Sequence, residues 1–119
     1  MRLRIFPTPQ APGQVRRLLT PLAEFVDSRS FAALRSVITE LVGISVAHGG
    51  SKPIDLNLEL IDGEIECLVD DHGPGTQAMI RAKGRSDKSL VLRIIDGLVE
   101  EWDASRSGVY FRMRVRRLA

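Results

Sequence analysis

The sequence predicts an α+β domain: a two-layer sandwich with helices on one face of a mixed, largely antiparallel sheet. Three observations predict it. Residues 31–42 and 90–99 carry apolar side chains at helical spacing. Between them, residues 54–69 hold two alternating runs around Asp62-Gly63, a pair suited to a tight hairpin turn. The last strand divides its faces, with Val109, Phe111, Met113 and Val115 on one side and Tyr110, Arg112, Arg114 and Arg116 on the other. Such a strand belongs to a sheet with one buried and one wet side, and the helices supply the cover for the buried side.

Each element follows from local pattern. Residues 2–6 alternate around Leu3 and Ile5 and read as a short strand. Pro7, Pro9, Pro12 and Gly13 then break the chain. Val15, Leu18, Leu19, Leu22 and Val26 return at helical spacing, and Pro21 within them kinks or restarts the helix, with Thr20 as candidate cap. Ser28 or Ser30 is the candidate cap of the next helix. It carries Phe31, Leu34, Val37, Ile38, Leu41 and Val42 on more than one side, which predicts deep burial, and it stops near His48-Gly49-Gly50. In the hairpin, Ile54, Leu56, Leu58 and Leu60 face the same way as Ile65, Cys67 and Val69. Residues 76–88, with Arg81, Lys83, Arg85 and Lys88, lack clear periodicity and read as a loop holding at most a helical turn. Ser86 or Asp87 then caps a helix whose expected core stripe is Leu90, Val91, Ile94, Ile95, Leu98 and Val99. A short strand around Trp102 and a turn at Ser107-Gly108 lead into the last strand.

A length of 119 residues suits one domain, 1–119, with one core. No apolar run approaches the roughly 20 residues that span a bilayer. The N-terminus lacks the apolar stretch of a signal peptide, and the single cysteine, Cys67, cannot form an intrachain disulfide. A cytoplasmic protein without membrane contact is expected. The net charge of +2 gives no argument for nucleic acid. The arginines at 112, 114, 116 and 117 read as a wet sheet face or a protein-contact face.

Chemistry concentrates at Asp71-His72-Gly73-Pro74-Gly75, directly after the second hairpin strand. Glycines let a ligand approach the main chain, and a carboxylate beside them can accept from the amino group of a bound base. An ordinary loop after a strand reads the same way. Glu40 either hydrogen-bonds Ser36 one turn earlier or stays solvated on the polar side of its helix. His48, Cys67, Asp71 and His72 lack the spacing of a metal site. Cys67 reads as a small core residue, and Ser45 has no partners for a triad.

The ordered set does more than its parts. A helix with Glu40 and His48 precedes the hairpin, Asp71-x-Gly73-x-Gly75 follows it, and after a loop come residues 92–102 and an Arg-rich last strand. This order resembles the ATPase superfamily shared by DNA gyrase and sensor histidine kinases, and within it the anti-sigma-factor serine kinases. The resemblance runs from Val15 to Val115 and implies a Bergerat-type ATP-binding fold. It implies that Asp71 binds the adenine amino group and that Gly73 and Gly75 let the base pack on the turn. Glu40 would be the general base for attack on the terminal phosphate. It further implies ATP with magnesium, a sigma factor or anti-sigma-factor antagonist as partner, and a homodimer. Two departures stand against it. Ile44 occupies the position, four after Glu40, where the family has a magnesium-holding Asn. The segment Gly84-Arg85-Ser86-Asp87-Lys88-Ser89-Leu90 has one glycine where the family is glycine-rich around the phosphates. The implied function is an ATP-binding domain that regulates transcription through protein binding, serine/threonine-kinase-like if active. The alternative is a pseudo-ATPase interaction module that no longer binds magnesium-ATP productively.

Overall fold

The protein is described by a computed structural model, which covers residues 1–85 and 89–118. Strand β1 (Arg2–Ile5) leads to helix α1 (Ala11–Leu18), a 3₁₀ turn (Thr20–Glu24) and the long helix α2 (Ser28–Ala47). The hairpin β2 (Ile54–Ile61) and β3 (Glu64–Asp70) follows, then α3 (Pro74–Lys83), α4 (Leu90–Leu98), β4 (Glu101–Ser105) and β5 (Gly108–Arg114). The sheet order is β1-β2-β3-β5-β4. Every strand pairing among the described residues is antiparallel, so the sheet lacks the mixed component expected of it.

The hairpin register places Leu56 opposite Val69, Leu58 opposite Cys67 and Leu60 opposite Ile65. Asp62 and Gly63 both take positive φ, 48° and 79°, as a two-residue turn that matches strand twist requires. Because side chains alternate along a strand, one face collects Ile54, Leu56, Leu58, Ile65, Cys67, Val69, Val109, Phe111 and Met113, all buried. Leu34, Val37, Ile38, Leu41 and Val42 of α2 belong to the same core. By length and hydropathy (20 residues, mean 1.4 over its best window) α2 is sufficient to cross a membrane, contrary to the expectation that no segment would be. Those five side chains are at most 3% exposed inside the domain, so its apolarity is accounted for by the core.

Four local expectations change. Pro12 and Gly13 do not break the chain. Pro12 sits in the first turn of α1, where its missing N–H has no helical partner to lose. Pro21 restarts the chain as the 3₁₀ turn, while the Thr20 hydroxyl donates to the Arg16 carbonyl and caps nothing. Asp27, not Ser28 or Ser30, caps α2: its backbone is extended and its carboxylate accepts from the Ser30 N–H at 2.8 Å. Residues 76–83 are helix rather than loop. Only Gly75, Thr76 and Met79 of α3 are buried, so no apolar period marks it, and Pro74 starts it.

Ser89 caps α4 through the Leu92 N–H. The expected caps Ser86 and Asp87 lie outside the described residues. The core stripe of α4 is also turned: Leu92 and Ile95 are buried, whereas Leu90 is 75% and Ile94 40% exposed.

Gly108 opens β5 at φ 123°, and a Cβ there would lie 2.7 Å from the Val69 carbonyl oxygen and 2.9 Å from the Asp70 Cβ. Both the backbone angle and the space require glycine. Gly108→Ala is expected to lose about 2 kcal/mol in denaturant unfolding; an unchanged midpoint would show that this turn relaxes freely.

Candidate functional site

The end of β3, the start of α3 and the last two turns of α2 meet at Asp71. Its side chain is 2% exposed. A buried carboxylate is costly unless hydrogen-bonded, and here backbone N–H groups of the chain bond both of its oxygens. Oδ1 accepts from the Gly73 N–H at 2.9 Å and the Thr76 N–H at 3.0 Å, and Oδ2 accepts from the Gly75 N–H at 2.8 Å. The Ser45 hydroxyl, close by, donates to the Leu41 carbonyl at 3.4 Å. A carboxylate offers about four lone-pair sites, and three backbone N–H groups converge on this one. Burial pushes the Asp71 pKa up, but the bonds from Thr76, Gly73 and Ser45 outweigh it and hold the carboxyl below its ordinary value. Asp71 therefore works as the cap of α3, whose N-cap residue, Gly73, has no side chain to do so.

Gly75 is required by the same packing. A Cβ there would stand 2.2 Å from Asp71 Oδ2, 2.7 Å from Ser45 Cα and 2.9 Å from Ser45 Oγ. Glycine at this position lets α3 close onto α2, a role that needs no bound base. Gly73 is different: its backbone is extended and a Cβ would meet only ordinary contacts. The fold itself does not demand glycine there.

His72 points the opposite way. It adopts the left-handed conformation, φ 57°, and donates its N–H to Asp70 Oδ1 at 2.8 Å. Its ring lies 2.7 Å from Asp55 Oδ2 and 3.2 Å from Asp70 Oδ2. Asp55 is also bonded by Arg4, and these contacts, Arg4 before His72, lower its pKa. The turn is thus held by Asp71 on the inside and by His72 on the outside.

Glu40, Ile44 and His48 recur every four residues and form one stripe along α2. Glu40 and Ile44 are half-buried and His48 is exposed. Among the described residues Glu40 makes no hydrogen bond or ion pair, with Ser36 or with Asp71. His48 opens onto a cleft of about 540 Å³ shared with Ala78, Arg81, Ala82, Arg85, Ser89 and Leu92. Asp71 is not among the residues that line it. Ile44 offers no ligand atom, and among the described residues no group of three or more His, Cys, Asp or Glu could hold a metal ion. Of the groups the resemblance implies for magnesium-ATP, the metal ligand on α2 is replaced by Ile44, and Asp71 already accepts from three backbone N–H groups.

Cys67 is buried, and burial pushes its thiol pKa far up, which makes it inert core. Ser45 and Thr76, which pack around Asp71, were not recognisable as such from the sequence. The available signals were a serine on an otherwise apolar helix flank and a threonine directly after Gly75.

No protein-family model matches the chain, and no curated protein does. Among solved structures, that of the RsbU and RsbW domains of Rv1364c from Mycobacterium tuberculosis aligns with a TM-score of 0.70 and 24% identity. The alignment covers 98% of this chain and 31% of that one, and falls on the RsbW domain. At that identity the likeness shows the fold, which is the Bergerat-type α+β fold that the order of motifs implied.

Two substitutions separate a structural carboxylate from a ligand-binding one. Asp71→Asn turns an amide N–H₂ toward backbone donors and is expected to lose about 2 kcal/mol at neutral pH without any nucleotide present. Because the folded pKa of Asp71 is depressed, its stabilisation is complete above the unfolded value of about 3.9 and fades as pH falls through the folded value. The gap between the two proteins in unfolding free energy should be flat above about pH 5 and narrow below about pH 4. Gly75→Ala should destabilise by a similar amount, about 2 kcal/mol or more, because Ser45 backbone blocks the new methyl.

Proposed function

We propose that this chain is a protein-binding regulator that keeps the architecture of an anti-sigma-factor kinase and does not turn over magnesium-ATP. Its partner would be a sigma factor or an anti-sigma-factor antagonist, and its setting the cytoplasm. The fold supports the class of regulator, although fold alone does not set activity. The observation that carries the loss of turnover is Ile44, four residues after Glu40, which has no ligand atom. Phosphoryl transfer relies on positioning and on neutralising phosphate charge, chiefly through the metal, and Ile44 removes the metal contact on α2.

A second reading, metal-free nucleotide binding, is favoured by the cleft itself, where Arg81 and Arg85 could face phosphates. It would leave the base without the Asp71 contact. Thermal unfolding with nucleotide, with and without magnesium, separates the two. A ligand of about 50 µM dissociation constant, at about 5 mM, adds about 2.7 kcal/mol to the folded state, on the order of 10 °C in a domain of this size. We expect no shift with magnesium-ATP and no phosphate transfer to a candidate antagonist. A shift with ATP that survives EDTA would favour the metal-free reading, and a magnesium-dependent shift would overturn both. Ile44→Asn alone is expected to leave the magnesium-ATP response at zero, since the approach to α4 stays poor in the glycines that hold phosphates. Recovery of binding in that variant would show that the missing metal ligand is the sole barrier.

A further inference from the structure

The arginines of the C-terminal strand divide into two groups. Arg112 is neutralised on the outer sheet face, held by Glu64 at 2.5 Å and Glu101 at 3.1 Å. Arg114 stands opposite Glu64 in the ladder, but that carboxylate is already engaged by Arg112. Beyond β5 the chain runs back along the segment before α2. The Asp27 N–H donates to the Arg116 carbonyl at 2.7 Å, the Leu118 N–H to the Phe25 carbonyl at 3.1 Å, and the Arg116 N–H to Ser30 Oγ at 2.9 Å.

This clasp builds a concavity of about 350 Å³ lined by Asp27, Arg29, Ser30, Arg114, Val115 and Arg116. Three guanidinium groups face one carboxylate, a local charge of +2. The Asp27 carboxylate is bonded to Ser30, and Arg29, Arg114 and Arg116 make no ion pair among the described residues. The frame is fixed by main-chain bonds, while the arginine heads stay exposed.

We propose that this concavity binds a phosphorylated serine or threonine presented by a protein partner. A phosphomonoester carries about −1.5 to −2 charge at neutral pH and three acceptor oxygens. That matches an excess of two positive charges and several planar donor forks. One side-chain carboxylate would satisfy one arginine and leave the others unpaired. A nucleic-acid backbone fits worse, because Glu59, Glu64, Glu66 and Glu101 occupy the sheet face next to Arg112 and Arg114 and would meet a continuing phosphate chain. The site lies at the opposite end of α2 from the cleft, about 30 Å away along the helix, so it stands or falls independently of the nucleotide reading.

The test is a titration of the isotope-labelled domain followed by amide chemical shifts, at constant ionic strength. The probes are an octapeptide of Gly and Ala around one phosphoserine, the same peptide with Ser or Glu in its place, and a single-stranded oligonucleotide. Saturable shifts confined to residues 27–30 and 114–117 are expected with the phosphopeptide. Binding of the Ser and Glu peptides should be weaker by about tenfold or more. Arg29→Gln with Arg116→Gln should weaken the phosphopeptide by about tenfold as well, while Arg2→Gln with Arg17→Gln leaves it unchanged. These side chains are exposed, so matched melting temperatures will verify that the variants are folded. Scattered or unsaturable shifts, equal loss in the control pair, or oligonucleotide binding as tight as the phosphopeptide would each overturn the proposal.

Discussion

The Asp71 carboxylate is the constraint from which the rest of the site follows. It is almost fully buried, and a charge so placed persists only when hydrogen bonds replace the water it has lost. Those bonds come from the start of α3, so one side chain ties the end of β3 to that helix, and Gly75 seats the pair against Ser45 of α2. The junction needs close approach, and Gly75 provides it where any larger residue would collide with Ser45. His72 then has to leave the turn on the other side, and its left-handed backbone carries it to Asp55 and Asp70.

A carboxylate in this position can serve the chain, a ligand, or both. Three backbone N–H groups share its roughly four lone-pair sites, so the chain has already committed most of them. The proposal of a regulator without turnover rests on the other end, where an isoleucine stands in place of the metal ligand that the resemblance implies and the approach to α4 is poor in glycine.

Much of the architecture was legible because it rests on simple periods. The Asp62-Gly63 hairpin, the buried α2 and the split faces of β5 all came through, since alternation and helical spacing directly reflect which side meets the core. α3 did not, because its buried side consists of a glycine, a threonine and one methionine. The exposed Leu90 and Ile94 misdirected the face of α4, as an apolar side chain on the surface looks the same in sequence as one in the core. At the site, the motif and its place after β3 were readable. That Asp71 would bond the N–H groups of Gly73, Gly75 and Thr76 was not, since that depends on how the turn after β3 folds back into α3.

The most direct measurement follows the amide resonances of Gly73, Gly75 and Thr76 while ATP is added with and without magnesium. These N–H groups bond the Asp71 carboxylate, so an adenine that recruited the carboxylate would displace them. Unmoved resonances across the titration are predicted. A saturable displacement of all three together would show that the carboxylate can be freed for a base, and would contradict its assignment as a closed structural cap.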